Sequence, residues 1–169
     1  TRTFAKEMSI TSGTDRVDLY HFGPGHTGGD AVVVFPSLRT AHVGDLFAGK
    51  ALPVIDVFHG GSGIQLPETL AKVHDGVKDV DQIITGHGRL FGWNDLADYA
   101  DFNKEFLAWA VEQRKVGRSA EAAAGAYRLP AKYVDYKMQP WDVRTNIERI
   151  YAELDKPATP ATRWRGGVE

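Results

Sequence analysis

The sequence predicts a layered α/β fold, an antiparallel to mixed sheet followed by C-terminal helices. Three observations carry this: the first half reads as strands, the second half reads as helices, and a strand, helix, strand passage joins them. The chain has 169 residues, with 20 Lys and Arg against 22 Asp and Glu and a net charge of -2, which suits one globular domain or a large part of one. Near-balanced, dispersed charge gives no reason to expect nucleic acid or a membrane surface as partner, and "AVVVFP" is too short to cross a bilayer. A small-molecule substrate remains the natural partner class. With no cysteine, a disulfide framework and a thiolate metal site are excluded, so any metal must sit on imidazole and carboxylate.

In order along the chain, "RVDLYHF" alternates Val17, Leu19 and His21 against Asp18, Tyr20 and Phe22. "AVVVF" and "RTAHVG" flank the tight turn "PSL", so residues 15 to 44 read as an antiparallel meander. The glycine-rich loop "FHGGSGIQLP" leads to a helix from about Pro67 to Lys78, with Leu70, Val73 and Val77 on one face. "QIIT" reads as a short buried strand. From Asn94, the expected N-cap, the positions Leu96, Tyr99, Phe106, Leu107, Ala110 and Val111 keep helical spacing up to Gly117. Ser119 caps an alanine-rich helix, and Val143, Ile147, Ile150 and Leu154 stripe a last one that stops before Pro157. The expected domain is residues 1–157, with a weakly ordered tail at 158–169.

The stretch "GPGHTGGD" offers Gly23, Gly25 and Gly28 in the dinucleotide pattern G-x-G-x-x-G. That fingerprint needs a helix to follow, whose N-terminus holds the pyrophosphate, and here the β-branched run "AVVVF" follows instead. A plain glycine turn is one remaining reading. A metal site is the other, because His26 shares its setting with Asp45 in "HVGDLF" and His87 in "IITGHGRLF": three ligand types at strand ends, each beside glycine. His21 reads as a half-buried sheet residue and His74 as a rim residue. His42, on the strand leading to Asp45, could orient a ligand from behind, and His59 could line the pocket. Thr27 and Asp30 suit holding the loop by side-chain to backbone hydrogen bonds.

"HFGPGHTGGDAVVVFPSLRTAHVGDLF", "PVIDVFHGGSG", "TLAKV" and "IITGHG", in that order, resemble the metallo-β-lactamase fold superfamily and its general metallohydrolase members; "NIERIYAEL" extends the likeness more faintly. The resemblance implies an αββα sandwich with a two-metal hydrolytic site at one sheet edge. It makes His26 a ligand of one metal, Asp45 the catalytic carboxylate bridging both, and His87 a ligand of the other. Zinc fits these donors best, with iron or manganese also compatible. The implied activity is hydrolysis of an ester, thioester, lactone or amide by water activated between the two ions. Aspartate rather than cysteine at position 45 resembles the thioesterase and lactonase branches.

The superfamily motif His-x-His-x-Asp-His is absent, as is any His-x-His. The chain, which starts at Thr1, therefore reads as the C-terminal half of such a domain. The expectations that follow are two protein ligands per ion, weak or absent metal binding, and no hydrolysis by this chain alone. An apolar sheet face including Val32, Val34 or their neighbours should lie uncovered, met by a homodimer partner or a complementing chain. The rival reading is a non-catalytic truncated module that assembles with another chain.

Overall fold

A computed structural model describes residues 2–156; Pro157 and the tail expected at 158–169 lie outside the described residues. The strands are β1 (Glu7–Ser9), β2 (Asp18–Tyr20), β3 (Val32–Phe35), β4 (Thr40–Gly44), β5 (Gln82–Thr85) and β6 (Phe91–Gly92). They form one sheet in chain order, and every neighbouring pair is antiparallel except β4 and β5. That parallel step needs a crossover, supplied by helix α1 (Leu66–Gly76). Three helices follow: α2 (Asn94–Lys115), α3 (Ala120–Ala126) and α4 (Pro140–Leu154). The mixed sheet followed by helices is the architecture the sequence predicts.

Side chains alternate across the sheet as strand geometry requires. One face sends Val32, Val34, Ala41, Val43 and Ile83 into a core shared with Leu70 and Val73 of α1, Leu96, Tyr99 and Phe102 of α2, and Ile147 of α4. The opposite face has no helix on it among the described residues. Register lines up Met8, Leu19, Val33, His42 and Ile84 in one row across five strands of that face. Of the residues expected on an open face, Val32 and Val34 are buried at 1% and 5% exposure, and it is their half-buried neighbour Val33 that lies on the side without a helix. The structure corrects "QIIT" as a buried strand, because only Ile83 and Thr85 point inward while Ile84 is 36% exposed.

Strand β1 escapes sequence reading, since three residues, Glu-Met-Ser, carry no measurable period. Helix α1 ends at Gly76, two residues before the expected Lys78, because Val77 already takes an extended conformation. Helix α2 is entered through Trp93 rather than capped by Asn94; the Asp95 carboxylate accepts instead from the Gly92 N–H at 2.9 Å. At its other end Gly117, with φ 75°, supplies the left-handed turn that stops it, and the Ser119 hydroxyl accepts from Ala122 N–H to start α3.

Candidate metal centre

Strand β4 ends in a bulge: His42 faces Ile84 and Gly44 faces Thr85, so Val43 is the extra residue. The bulge turns the strand end, and Gly44 continues the turn at φ 54°, ψ -140°, a region L side chains avoid. Asp45 follows at the mouth of a 3₁₀ turn anchored by the buried Leu46 and Phe47. The Gly86 N–H donates to Gly44 O at 2.9 Å, which sets the end of β5, and His87 after it, against the end of β4.

His26 lies in the loop between β2 and β3. Asp30 stiffens that loop by accepting from the Thr27 N–H at 3.0 Å and the Thr27 hydroxyl at 2.6 Å, the role expected of this pair. A second segment, residues 52–63, clasps the loop: Asp56 N–H donates to His26 O at 2.8 Å, Gly28 N–H to His59 O at 2.9 Å, and Ser62 N–H to Gly25 O at 3.0 Å. A Cβ on Gly61 would stand 2.1 Å from His26 O, so only glycine permits this approach. Helix α4 holds the segment in turn. The Glu153 carboxylate accepts from the Ser62 hydroxyl at 2.6 Å and from Gly63 N–H at 2.7 Å, and the Asn146 amide donates to Pro53 O at 3.0 Å.

These supports bring the three predicted ligands together around one carboxylate. His26 Nε2 lies 3.6 Å from Asp45 Oδ2, and His87 Nε2 lies 3.2 Å from Asp45 Oδ1. His26 Nδ1 is 2.6 Å from Val54 O, and a carbonyl only accepts, so Nδ1 carries the proton. In the neutral ring the Nε2 lone pair then faces the carboxylate, an arrangement that a proton or a metal cation between the two makes favourable. Asp45 Oδ1 is buried and has no hydrogen-bond partner. Its space exists because position 86 is glycine: a Cβ there would come within 2.0 Å of that oxygen. An orphaned carboxylate oxygen, oriented imidazole and a cleared cradle together fit a divalent metal. Among the described residues no three His, Cys, Asp or Glu side chains converge on one point, so each oxygen of Asp45 has a single imidazole opposite it.

The other histidines are elsewhere. His42 lies in the middle of the open sheet face and makes no hydrogen bond to Asp45, His26 or His87. His59 is 76% exposed at the side chain, with Nδ1 2.6 Å from Asp56 Oδ2; that hydrogen bond holds the Asp56 carboxyl below its usual range. His21 Nδ1 donates to Asp30 O at 2.9 Å, since a carbonyl can only accept, and His74 stacks on Trp93 with 5.8 Å between ring centroids. Sequence reading missed the supports: Val54 through its carbonyl, Gly61, Gly86, Asn146 and Glu153. Only the glycines left a signal, as neighbours of His59 and His87 in "HGG" and "GHG".

No protein-family model matches the chain, and no curated protein matches it. Solved structures do. The sec-alkylsulfatase Pisa1 from Pseudomonas sp. superposes with a TM-score of 0.71 at 16% identity, over 89% of this chain and 26% of its own. A metallo-β-lactamase from Pontibacter korlensis gives 0.51 at 18% identity, over 60% of this chain and 47% of its own. The DIM-1 metallo-β-lactamase gives 0.50 at 15% identity, over 60% and 46%. The chain thus spans less than half the length of each of these proteins. Identity at this level speaks to architecture, and the architecture is shared: the chain is built on the metallo-β-lactamase fold.

Proposed function

We propose that this chain is the C-terminal half of a metallohydrolase domain, residues 1–157, that contributes His26, Asp45 and His87 to a two-metal centre. The observation that carries the reading is the Asp45 carboxylate, with one oxygen facing each imidazole and Oδ1 buried without a partner. The likeness to metallo-β-lactamases and to an alkylsulfatase supports hydrolysis as the reaction type. The substrate bond is an ester, thioester, lactone or amide.

A divalent pair, zinc by the chemistry of these donors, would supply a water of lowered pKa and polarise the bond under attack. The chain's own residues fix the geometry. The Val54 carbonyl sets the His26 tautomer, the bulge at Val43 aims Asp45, and Gly86 keeps the space beside Oδ1 clear. With one imidazole and a shared carboxylate per ion, the set is one ligand short of the three protein ligands of a catalytic zinc. The isolated chain therefore binds zinc loosely and does not hydrolyse, and a complementing N-terminal half restores both. The same shortfall favours the rival reading, a non-catalytic module that assembles with another chain.

Calorimetric zinc titration tests the half-site and the ligand assignment. Weak uptake by the chain alone, tightened by the complementing half and lost in Asp45→Ala, His26→Ala and His87→Ala but not in His74→Ala, is the expected result. Tight uptake of two ions by the chain alone overturns the half-site reading. Unchanged metal content in Asp45→Ala overturns the ligand assignment.

A further inference from the structure

A cavity of about 570 Å³ opens beside the candidate centre, lined by residues that include Ala48, Lys50, Arg89, Phe91, Asp135 and Lys137. Its size is that of a small-molecule site. Three separate segments build it. Ala48 is the third residue after Asp45, and Arg89 the second after His87, so two of its walls continue the segments that carry those candidate ligands. The third segment is tied in by backbone: Lys137 N–H donates to Lys50 O at 2.9 Å, and Ala51 and Lys137 form a parallel bridge.

The charges are unevenly paired. Lys50 Nζ lies 2.9 Å from both Asp95 and Asp135, which raise its pKa, Asp135 first, and offset its charge. Arg89 and Lys137 make no ion pair among the described residues, whereas Arg39, Arg114, Lys132 and Arg144 each do. With Lys50 matched by Asp95 and Asp135, it is Arg89 and Lys137 that leave this wall positive in a chain whose net charge is -2. The floor is apolar and fixed. Phe91 packs on Phe47 with 5.0 Å between centroids, and the Arg89 guanidinium stands over the Phe91 ring at 5.1 Å. The ring face attracts the cation and leaves its N–H groups free to donate to a carboxylate or sulfate.

We propose that this cavity is the substrate-recognition pocket, and that the substrate is a small organic anion: an apolar body seated on Phe91 and a carboxylate or sulfate head held by Arg89 and Lys137. This rests on the hydrolase reading of the neighbouring centre. Two exposed cations without carboxylate partners among the described residues attract an anion over a neutral ligand of the same shape.

The test needs no turnover. Amide resonances of the metal-free chain are followed by NMR during titration with phenylacetate, phenyl sulfate and phenylacetamide. Saturable shifts at Gly88, Arg89 and Lys137 with phenylacetate or phenyl sulfate, and none with phenylacetamide, are expected; which anion binds more tightly identifies the head group. The double variant Arg89→Gln, Lys137→Gln, both positions being exposed, should weaken that binding by about tenfold or more while the spectrum stays dispersed. Binding of phenylacetamide equal to phenylacetate, unchanged anion binding in the double variant, or no shifts at these residues overturns the proposal. Zinc titration of the same samples keeps the two readings apart. A double variant that takes up zinc like its parent but loses phenylacetate supports the pocket. Anion binding at these residues in a chain that takes up no zinc even with the complementing half leaves the pocket standing and removes the hydrolase reading.

Discussion

Asp45 is positioned by what its neighbours lack. Gly44 takes a backbone conformation closed to other residues, and Gly86 leaves room for Oδ1 where a methyl group would overlap it at 2.0 Å. Gly86→Ala is therefore expected to push the carboxylate away from His87 and weaken zinc binding in the complemented protein by about tenfold or more, close to a direct ligand loss. Its effect on the melting temperature should be modest, because residue 86 is exposed and the atom most displaced is the end of a side chain, with the Gly44 carbonyl carbon next at 3.0 Å. Unchanged zinc affinity in this variant would show that the cradle does not matter. His26, Asp45 and His87 were legible in the sequence because each ligand type sits beside glycine at the end of an apolar run. The Val54 carbonyl was not, since a backbone acceptor carries no residue-type signature.

At the scale of elements, helix α4 works as a clamp. Its buried stripe of Val143, Ile147 and Ile150 was readable from helical period, and the exposed Leu154 at its end departs from that stripe at 39% exposure. The polar side of the same helix was not readable. Glu153 reaches Ser62 and Asn146 reaches Pro53, across separations of 91 and 93 residues that no local pattern records. Glu153→Gln keeps the shape but halves the acceptors offered to the Ser62 hydroxyl and Gly63 N–H. We expect it to loosen the 52–63 segment and weaken zinc binding by roughly tenfold, with about 1–2 kcal/mol lost from chemical denaturation. A variant that loses stability but keeps zinc affinity would show that the clamp serves the fold alone. The meander, the crossover helix and the two long helices all followed from period and capping. Strand β1 and the short β6 did not, because two or three residues hold less than one full alternation.

For the whole molecule, the row Met8, Leu19, Val33, His42 and Ile84 is an uncovered sheet face. Sheet faces of this composition are stable when a second layer covers them. We propose that a second copy of the chain or a complementing chain takes that place. Light scattering of the isolated chain should then show mass rising with concentration, and the paired change Val33→Lys with Ile84→Lys should shift it toward the monomer without lowering the melting temperature by more than a few degrees. A chain that stays monomeric at every concentration and melts cooperatively would contradict this. The sequence carried the existence of an open face around Val32 to Val34 but not which of these residues lie on it, because the inward or outward sense of an alternating strand depends on the side its helices take.

The clamp between α4 and the 52–63 segment has a kinetic side. Each strand of the sheet pairs with the one before it, so the meander closes through short loops, while the clasp on the His26 loop waits for a helix some ninety residues further along. Loop closure over that distance is slower than hairpin formation. A chain leaving the ribosome would thus possess its sheet before it possesses ordered ligands, which delays metal capture until the last helix docks. Pulsed hydrogen exchange during refolding can time this: amides of β3 and β4 should gain protection ahead of those of Asp56, Ser62 and Gly63, and simultaneous protection would mean that site and sheet form as one cooperative unit.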